Sequence, residues 1–126
     1  MSKGRMLVVD DEADVRKAVR LILSKAGYDV DEAEDPEAGV ALVKSGVNKL
    51  PLTAIITDLN MPKINEVIVV PYFHSQFPSC PIVVVSGSKM LDRSARLFKD
   101  AGVEFLAKPI NQEQLLGAVN KAVNKG

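Results

Sequence analysis

Thr53-Ala54-Ile55-Ile56-Thr57-Asp58-Leu59-Asn60-Met61-Pro62 is the stretch on which the fold turns. Thr53–Thr57 offers β-branched or small apolar side chains to both faces, so it predicts a strand covered on both sides. Such a strand belongs at the centre of a sheet with helices above and below. It ends in a carboxylate, Asp58.

Outward from that strand the chain alternates β-branched runs with amphipathic stretches, the pattern of βαβ units. Arg5–Val9 predicts the first strand. A helix follows from Asp14 to about Ala26, with Val15, Ala18, Val19 and Ile22 at helical spacing and Arg16, Lys17 and Arg20 off that face. Gly27 stops it. Tyr28–Ala33 alternates apolar and acidic residues, as an exposed edge strand does. Asp35 and Pro36 form an N-cap and N1 pair for a second helix running to about Lys44. Asn65 to about Gln76 predicts a third helix. Pro71 lies inside it and removes a hydrogen bond to the Val67 carbonyl, at a typical cost of ~3 kcal/mol, so a kink or a break is expected there. Ile82–Val85 is a strand apolar on both faces, Leu91–Ala101 a fourth helix and Glu104–Ala107 a fifth strand. Asn111 with Gln114 resembles a capping box, opening a last helix through about Val123. The expectation is one α/β domain over residues 1–126: a doubly wound, five-stranded parallel sheet with five helices. The strand order 2-1-3-4-5 comes from flavodoxin-like folds of this pattern.

The chain has 126 residues, 47% of them hydrophobic and 25% charged. A domain of this size buries roughly two-thirds of its unfolded surface and needs no metal or disulfide merely to fold. Lysine plus arginine equals aspartate plus glutamate at 16 each. That balance gives no electrostatic reason to expect nucleic acid or an anionic membrane as a direct partner. Cys80 is the single cysteine and cannot form an internal disulfide, which suits a reducing cytoplasm. The apolar runs, such as Val67–Val70, are far too short to span a bilayer. His74 has no partner at ligand spacing and reads as a surface histidine.

The strand ends carry the chemistry. Asp10-Asp11 follow the first strand, Asp58 the third, Ser86 the fourth, and Lys108-Pro109 the fifth. In a parallel sheet these ends share one edge, where open α/β folds bind ligands near the reversal in strand order. Three converging carboxylates repel and resist desolvation, a conflict that a hard cation resolves. Mg²⁺ takes oxygen ligands and keeps waters, leaving room for a phosphoryl oxygen. Lys108 adds a positive charge and Ser86 a hydroxyl donor, and a carboxylate can serve as nucleophile to form an aspartyl phosphate. Alone, Asp10-Asp11 is more often a strand-end turn or helix cap, Lys108 is usually a solvated lysine, and Ser86 can be a mere turn residue; together at consecutive strand ends they favour the functional reading.

Taken together, Asp10-Asp11, Asp58-Leu59-Asn60-Met61-Pro62, Ser86-Gly87 and Lys108-Pro109 resemble the signature of the receiver domains of two-component response regulators. The resemblance runs from about Arg5 to Val123. It implies Asp58 as phosphoacceptor, Asp10 and Asp11 as the acids that hold Mg²⁺, and the Asn60 backbone carbonyl as a further ligand. It also implies Ser86 as the switch hydroxyl, Lys108 as the phosphoryl's cation, a cis peptide before Pro109, and Phe105 as a switch aromatic. The implied partners are a histidine kinase or phosphotransfer protein and an output domain or protein engaged through about Leu91 to Val123, with the chain a monomer or weak homodimer.

Glu66 stands where the family usually has glycine, and with Pro71 it predicts an irregular loop and third helix. It also brings an additional carboxylate toward the metal region. Two competing functions share these residues. One is a pseudo-receiver that only docks partners. The other is an aspartate-nucleophile phosphatase of the haloacid dehalogenase type, although that chemistry needs a general acid at position 60, which is asparagine.

Overall fold

Alternate residues of the central strands go to opposite faces and found two separate cores. Leu7, Val9, Ile55, Ile82 and Val84 join one cluster, and Met6, Val8, Ala54, Ile56, Val83 and Val85 join the other. This period-two division of continuously apolar strands is what two layers of covering helices require. The computed structural model describes residues 3–46, 50–59, 66–87 and 103–125. Among them lie β1 (Arg5–Val9), α1 (Ala13–Lys25), β2 (Asp29–Ala33), α2 (Pro36–Lys44), β3 (Leu52–Thr57), α3 (Glu66–Gln76), β4 (Ile82–Ser86), β5 (Glu104–Ala107) and α4 (Gln112–Lys125). The sheet order is β2-β1-β3-β4-β5 and every pairing is parallel, as expected. The expected helix Leu91–Ala101 and the backbone of Asn60 lie outside the described residues. The described chain therefore has four helices rather than five, α4 being the one that Asn111 introduces.

Local signals behave as their chemistry dictates. Asp35 Oδ1 accepts the Ala38 N–H at 2.8 Å and caps α2. Asn111 Oδ1 accepts the Gln114 N–H at 3.2 Å and caps α4. On α1 the buried residues are Val19 and Leu23, with Val15 and Ile22 half-buried against the same cluster, while Ala18 is exposed. The apolar stripe is thus rotated slightly from the expected one. β1 shifts register against β3 between Arg5 and Met6, leaving Thr53 without a partner in the ladder. Gly4 sits at φ +142 beside it, where a Cβ would stand 2.1 Å from Thr53 Oγ1. Only glycine fits there.

The expected break at Pro71 does not occur: α3 is one continuous helix from Glu66 to Gln76. Pro71 is exposed, so the lost backbone bond falls on the solvent side, where water can replace it. Val69, Val70 and Phe73 on the opposite face are almost wholly buried. Burying side chains of this size gains roughly 1.5–3 kcal/mol each, which outweighs one interrupted hydrogen bond. Glu66 opens the helix, and its side chain lies outside the described residues.

One charged residue lies inside this apolar frame. Arg5 is 3% exposed, pairs with Asp31 of β2, and reaches the Leu42 and Val43 carbonyls at the end of α2 at 3.5 Å. It thereby ties the edge strand and α2 to β1.

Candidate functional site at the C-terminal sheet edge

The residues just past three strands each make one more ladder bond before leaving the sheet. The Asp10 N–H donates to the Ala33 carbonyl at 3.2 Å, Asp58 to Val9 at 3.0 Å, and Lys108 to Ser86 at 2.9 Å. This extra bond fixes each backbone as firmly as the strand behind it, so the side chains leave one edge in set directions. The switch in strand order, between β1 and β3, is where Asp10 and Asp58 emerge.

Asp58 is 2% exposed and its polar atoms are taken. Oδ1 accepts from Ser86 Oγ at 2.8 Å and from the Leu59 N–H at 2.7 Å, and Oδ2 accepts from Lys108 Nζ at 2.9 Å. Its carbonyl accepts from Thr57 Oγ1 at 2.8 Å. Lys108 Nζ also lies 3.2 Å from Asp10 Oδ2 and 3.1 Å from Glu12 Oε1. One ammonium therefore serves three carboxylates. Asp10 is 3% exposed, and its Oδ1 accepts the Glu12 N–H at 2.9 Å.

The electrostatics reflect this crowding. Burial pushes the Asp10 carboxyl up from its ordinary value, the Glu12 N–H opposes it, and the Asp58 charge adds to the rise. For Lys108 burial works to lower the pKa, but the hydrogen bond and charge of Asp58 outweigh it and hold the ammonium above its ordinary range. Lys108 is thus a fixed positive charge at any pH the protein meets. Asp10, Asp11, Glu12 and Asp58 can each bring one carboxylate oxygen within 4.8 Å of the others. An all-oxygen, anionic donor set of this kind suits a hard divalent cation, and buried carboxylates outnumbering their cation fit the same reading.

Asp10, Asp11, Asp58, Ser86 and Lys108 are brought together. Asp11 is exposed, and Ser86 is fully buried. The Lys108–Pro109 peptide is cis. Phe105 lies half-buried on β5, packed against one core cluster. Two further residues take part that the strand-end pattern does not single out. Glu12 extends the acidic run and pairs with Lys108, and Arg16 Nη1 donates to the Asp10 carbonyl at 2.7 Å. Three consecutive acids after β1 are visible in the sequence as a signal for the first; nothing in helical periodicity marks the second.

Residues 6–120 match the family model of the response regulator receiver domain. The chain belongs to that family. Receiver domains of this family are signalling switches of two-component systems rather than enzymes in the ordinary sense. Among curated relatives, the chain is 28% identical over 123 residues to the DNA-binding transcriptional regulator NtrC of Bradyrhizobium sp. (strain RP501 Parasponia), covering 98% of this chain and 25% of that protein. It spans about a quarter of the length of such relatives. Among solved structures, it resembles a response regulator receiver domain protein from Clostridium thermocellum, with 27% identity, a TM-score of 0.82, and coverage of 97% and 95% of the two chains. It also resembles the Vibrio cholerae chemotaxis protein CheY4, with 28% identity, a TM-score of 0.78, and coverage of 94% and 98%. No helix among the described residues is long and apolar enough to cross a membrane.

Proposed function

We propose that this chain is a single phosphoacceptor unit, residues 1–126, which receives a phosphoryl group on Asp58 from a histidine kinase or phosphotransfer protein. The observation that supports this reading is the Asp58 carboxylate itself. It is buried, hydrogen-bonded by Ser86, the Leu59 amide and Lys108, and grouped with the carboxylates of Asp10, Asp11 and Glu12. In the transfer, an Asp58 oxygen attacks phosphorus, the O–P bond forms, and the N–P bond to the donor imidazole breaks. The imidazole leaves carrying a proton. Lys108, already 2.9 Å from Asp58 Oδ2, moves onto a phosphoryl oxygen, and Ser86 Oγ follows from Oδ1. Asp10, Asp11 and Asp58 would hold Mg²⁺, with the Asn60 carbonyl as a further ligand. The ion supplies charge neutralisation for the transferring oxygens.

Because Lys108 and Ser86 are joined by the bond from the Lys108 N–H to the Ser86 carbonyl, their movement shifts β4 and β5 together. Phe105 on β5 is the side chain through which that shift would reach the output partner. Balanced charge favours a protein partner over direct nucleic-acid binding, with the chain a monomer or weak homodimer. The cytoplasm suits Cys80, an unpaired thiol whose pKa burial pushes up to about 12.

The test is intact-mass measurement after incubation with a small acyl phosphate. A gain of one phosphoryl that needs Mg²⁺ and is absent in Asp58→Asn supports the switch. No gain would leave a docking module instead. The phosphatase reading shares the Asp58 nucleophile but has asparagine at position 60 where that chemistry needs a general acid, and turnover of phosphate esters would revive it.

A further inference from the structure

Helical periodicity puts Arg16 on the outward face of α1, yet its side chain is only 15% exposed. Its side chain spans the turn between β1 and α1: Nη1 donates to the Asp10 carbonyl at 2.7 Å, while its backbone N–H makes the ordinary first bond of α1 to the Glu12 carbonyl at 3.1 Å. Asp11, the exposed acid of the cluster, lies between those two carbonyls. The guanidinium is itself held from β2, with Nε 3.7 Å from Glu32 Oε1, and Glu32 Oε2 lies 2.8 Å from Arg20 Nε.

We infer that Arg16 is a positioning residue for the metal-holding acids: it locks the Asp10–Glu12 turn so that the Asp10 and Asp11 carboxylates converge on Asp58 against their mutual repulsion. The inference rests on the Mg²⁺ reading above. A planar fork explains the choice of arginine. One edge reaches the Asp10 carbonyl while another faces Glu32, an arrangement that a lysine ammonium cannot reproduce in full. Outer partners of metal ligands act in this way, and their loss typically weakens metal binding about 10–100-fold.

The sign of the effect separates positioning from simple charge. A guanidinium near a cation site disfavours the cation, so if charge were the whole role its removal would tighten Mg²⁺ binding. Positioning requires the reverse. Isothermal titration of the full chain with MgCl₂ decides between them. Arg16→Gln is expected to bind at least roughly tenfold more weakly, Arg16→Lys to fall between it and wild type, and Arg20→Gln, which touches Glu32 but not Asp10, to bind as wild type does. Arg16→Gln binding as tightly as wild type, or tighter, overturns the inference. So does an equal loss in Arg20→Gln, which would assign the effect to α1–β2 pairing in general. Should Arg16→Gln fail to fold, Arg16→Lys carries the test, and wild-type affinity in it is the refuting result. A wild-type chain without an Mg²⁺ signal that Asp10→Asn abolishes refutes the metal reading, and this inference with it. Wild-type binding left unchanged by Arg16→Gln refutes this inference alone.

Discussion

Replacing Lys108 with methionine removes the only cation that touches the buried carboxylates of Asp10 and Asp58 among the described contacts. At separations of 2.9 and 3.2 Å, an effective dielectric constant of about 20 gives attractions of about 6 and about 5 kcal/mol before desolvation. Most of that is offset by the cost of burying the ammonium. Breaking a buried pair from one side typically costs about 3–5 kcal/mol, because the remaining charge stays buried and unpaired. Lys108 keeps 20% of its side chain exposed, which places the loss near the lower end, about 3 kcal/mol. Its contact with Glu12, 61% exposed, adds little. Urea unfolding in EDTA is the assay, and with a slope of about 1–3 kcal/mol per molar the midpoint drops by roughly 1–3 M. Magnesium then stabilises Lys108→Met more than wild type, since it meets two carboxylates with no competing ammonium. A loss below about 1 kcal/mol, or equal stabilisation of both proteins by Mg²⁺, would refute the view that crowded carboxylates dominate this edge.

Asp10→Asn is expected to stabilise the metal-free protein at pH 7 while abolishing Mg²⁺ binding. The folded pKa of Asp10 lies above its ordinary value of 3.8, so the folded state binds the extra proton and ionisation costs stability as pH rises through that interval. The advantage over wild type should therefore vanish in acid, and urea midpoints across pH 3–7 check it. Ser86→Ala removes one of two donors to Asp58 Oδ1 and should cost about 1–2 kcal/mol in the same assay. Gly4→Ala drives a methyl against Thr53 Oγ1 and should cost roughly 1–3 kcal/mol, while the double variant Gly4→Ala/Thr53→Ala recovers part of it.

What the chain reveals before folding follows from the range of each signal. Thr53–Thr57 marks a central strand because burial on both faces is written in consecutive residues. Asp10, Asp58, Ser86 and Lys108 are legible as a group because parallel strands carry their C-terminal ends to one edge, whatever lies between them. Arg5 and Arg16 are not legible in the same way. Their partners, Asp31 and Glu32, sit on β2; the β1–β2 pairing brings Arg5 to Asp31, and the packing of α1 beside β2 brings Arg16 to Glu32. At Pro71 the break, one of the two outcomes the local rule allows, gives way to the burial of Val69, Val70 and Phe73. Asn60 and the helix expected over Leu91–Ala101 lie outside the described residues.

The most direct measurement locates the phosphoryl group. Borohydride reduces an acyl phosphate to an alcohol, turning a phosphorylated aspartate into homoserine, which peptide mass mapping identifies. After treatment with a small acyl phosphate and Mg²⁺, homoserine should appear at position 58 and nowhere else. Homoserine at Asp10 or Asp11, or none while the intact protein gains phosphoryl, would contradict the assignment of Asp58 as the acceptor.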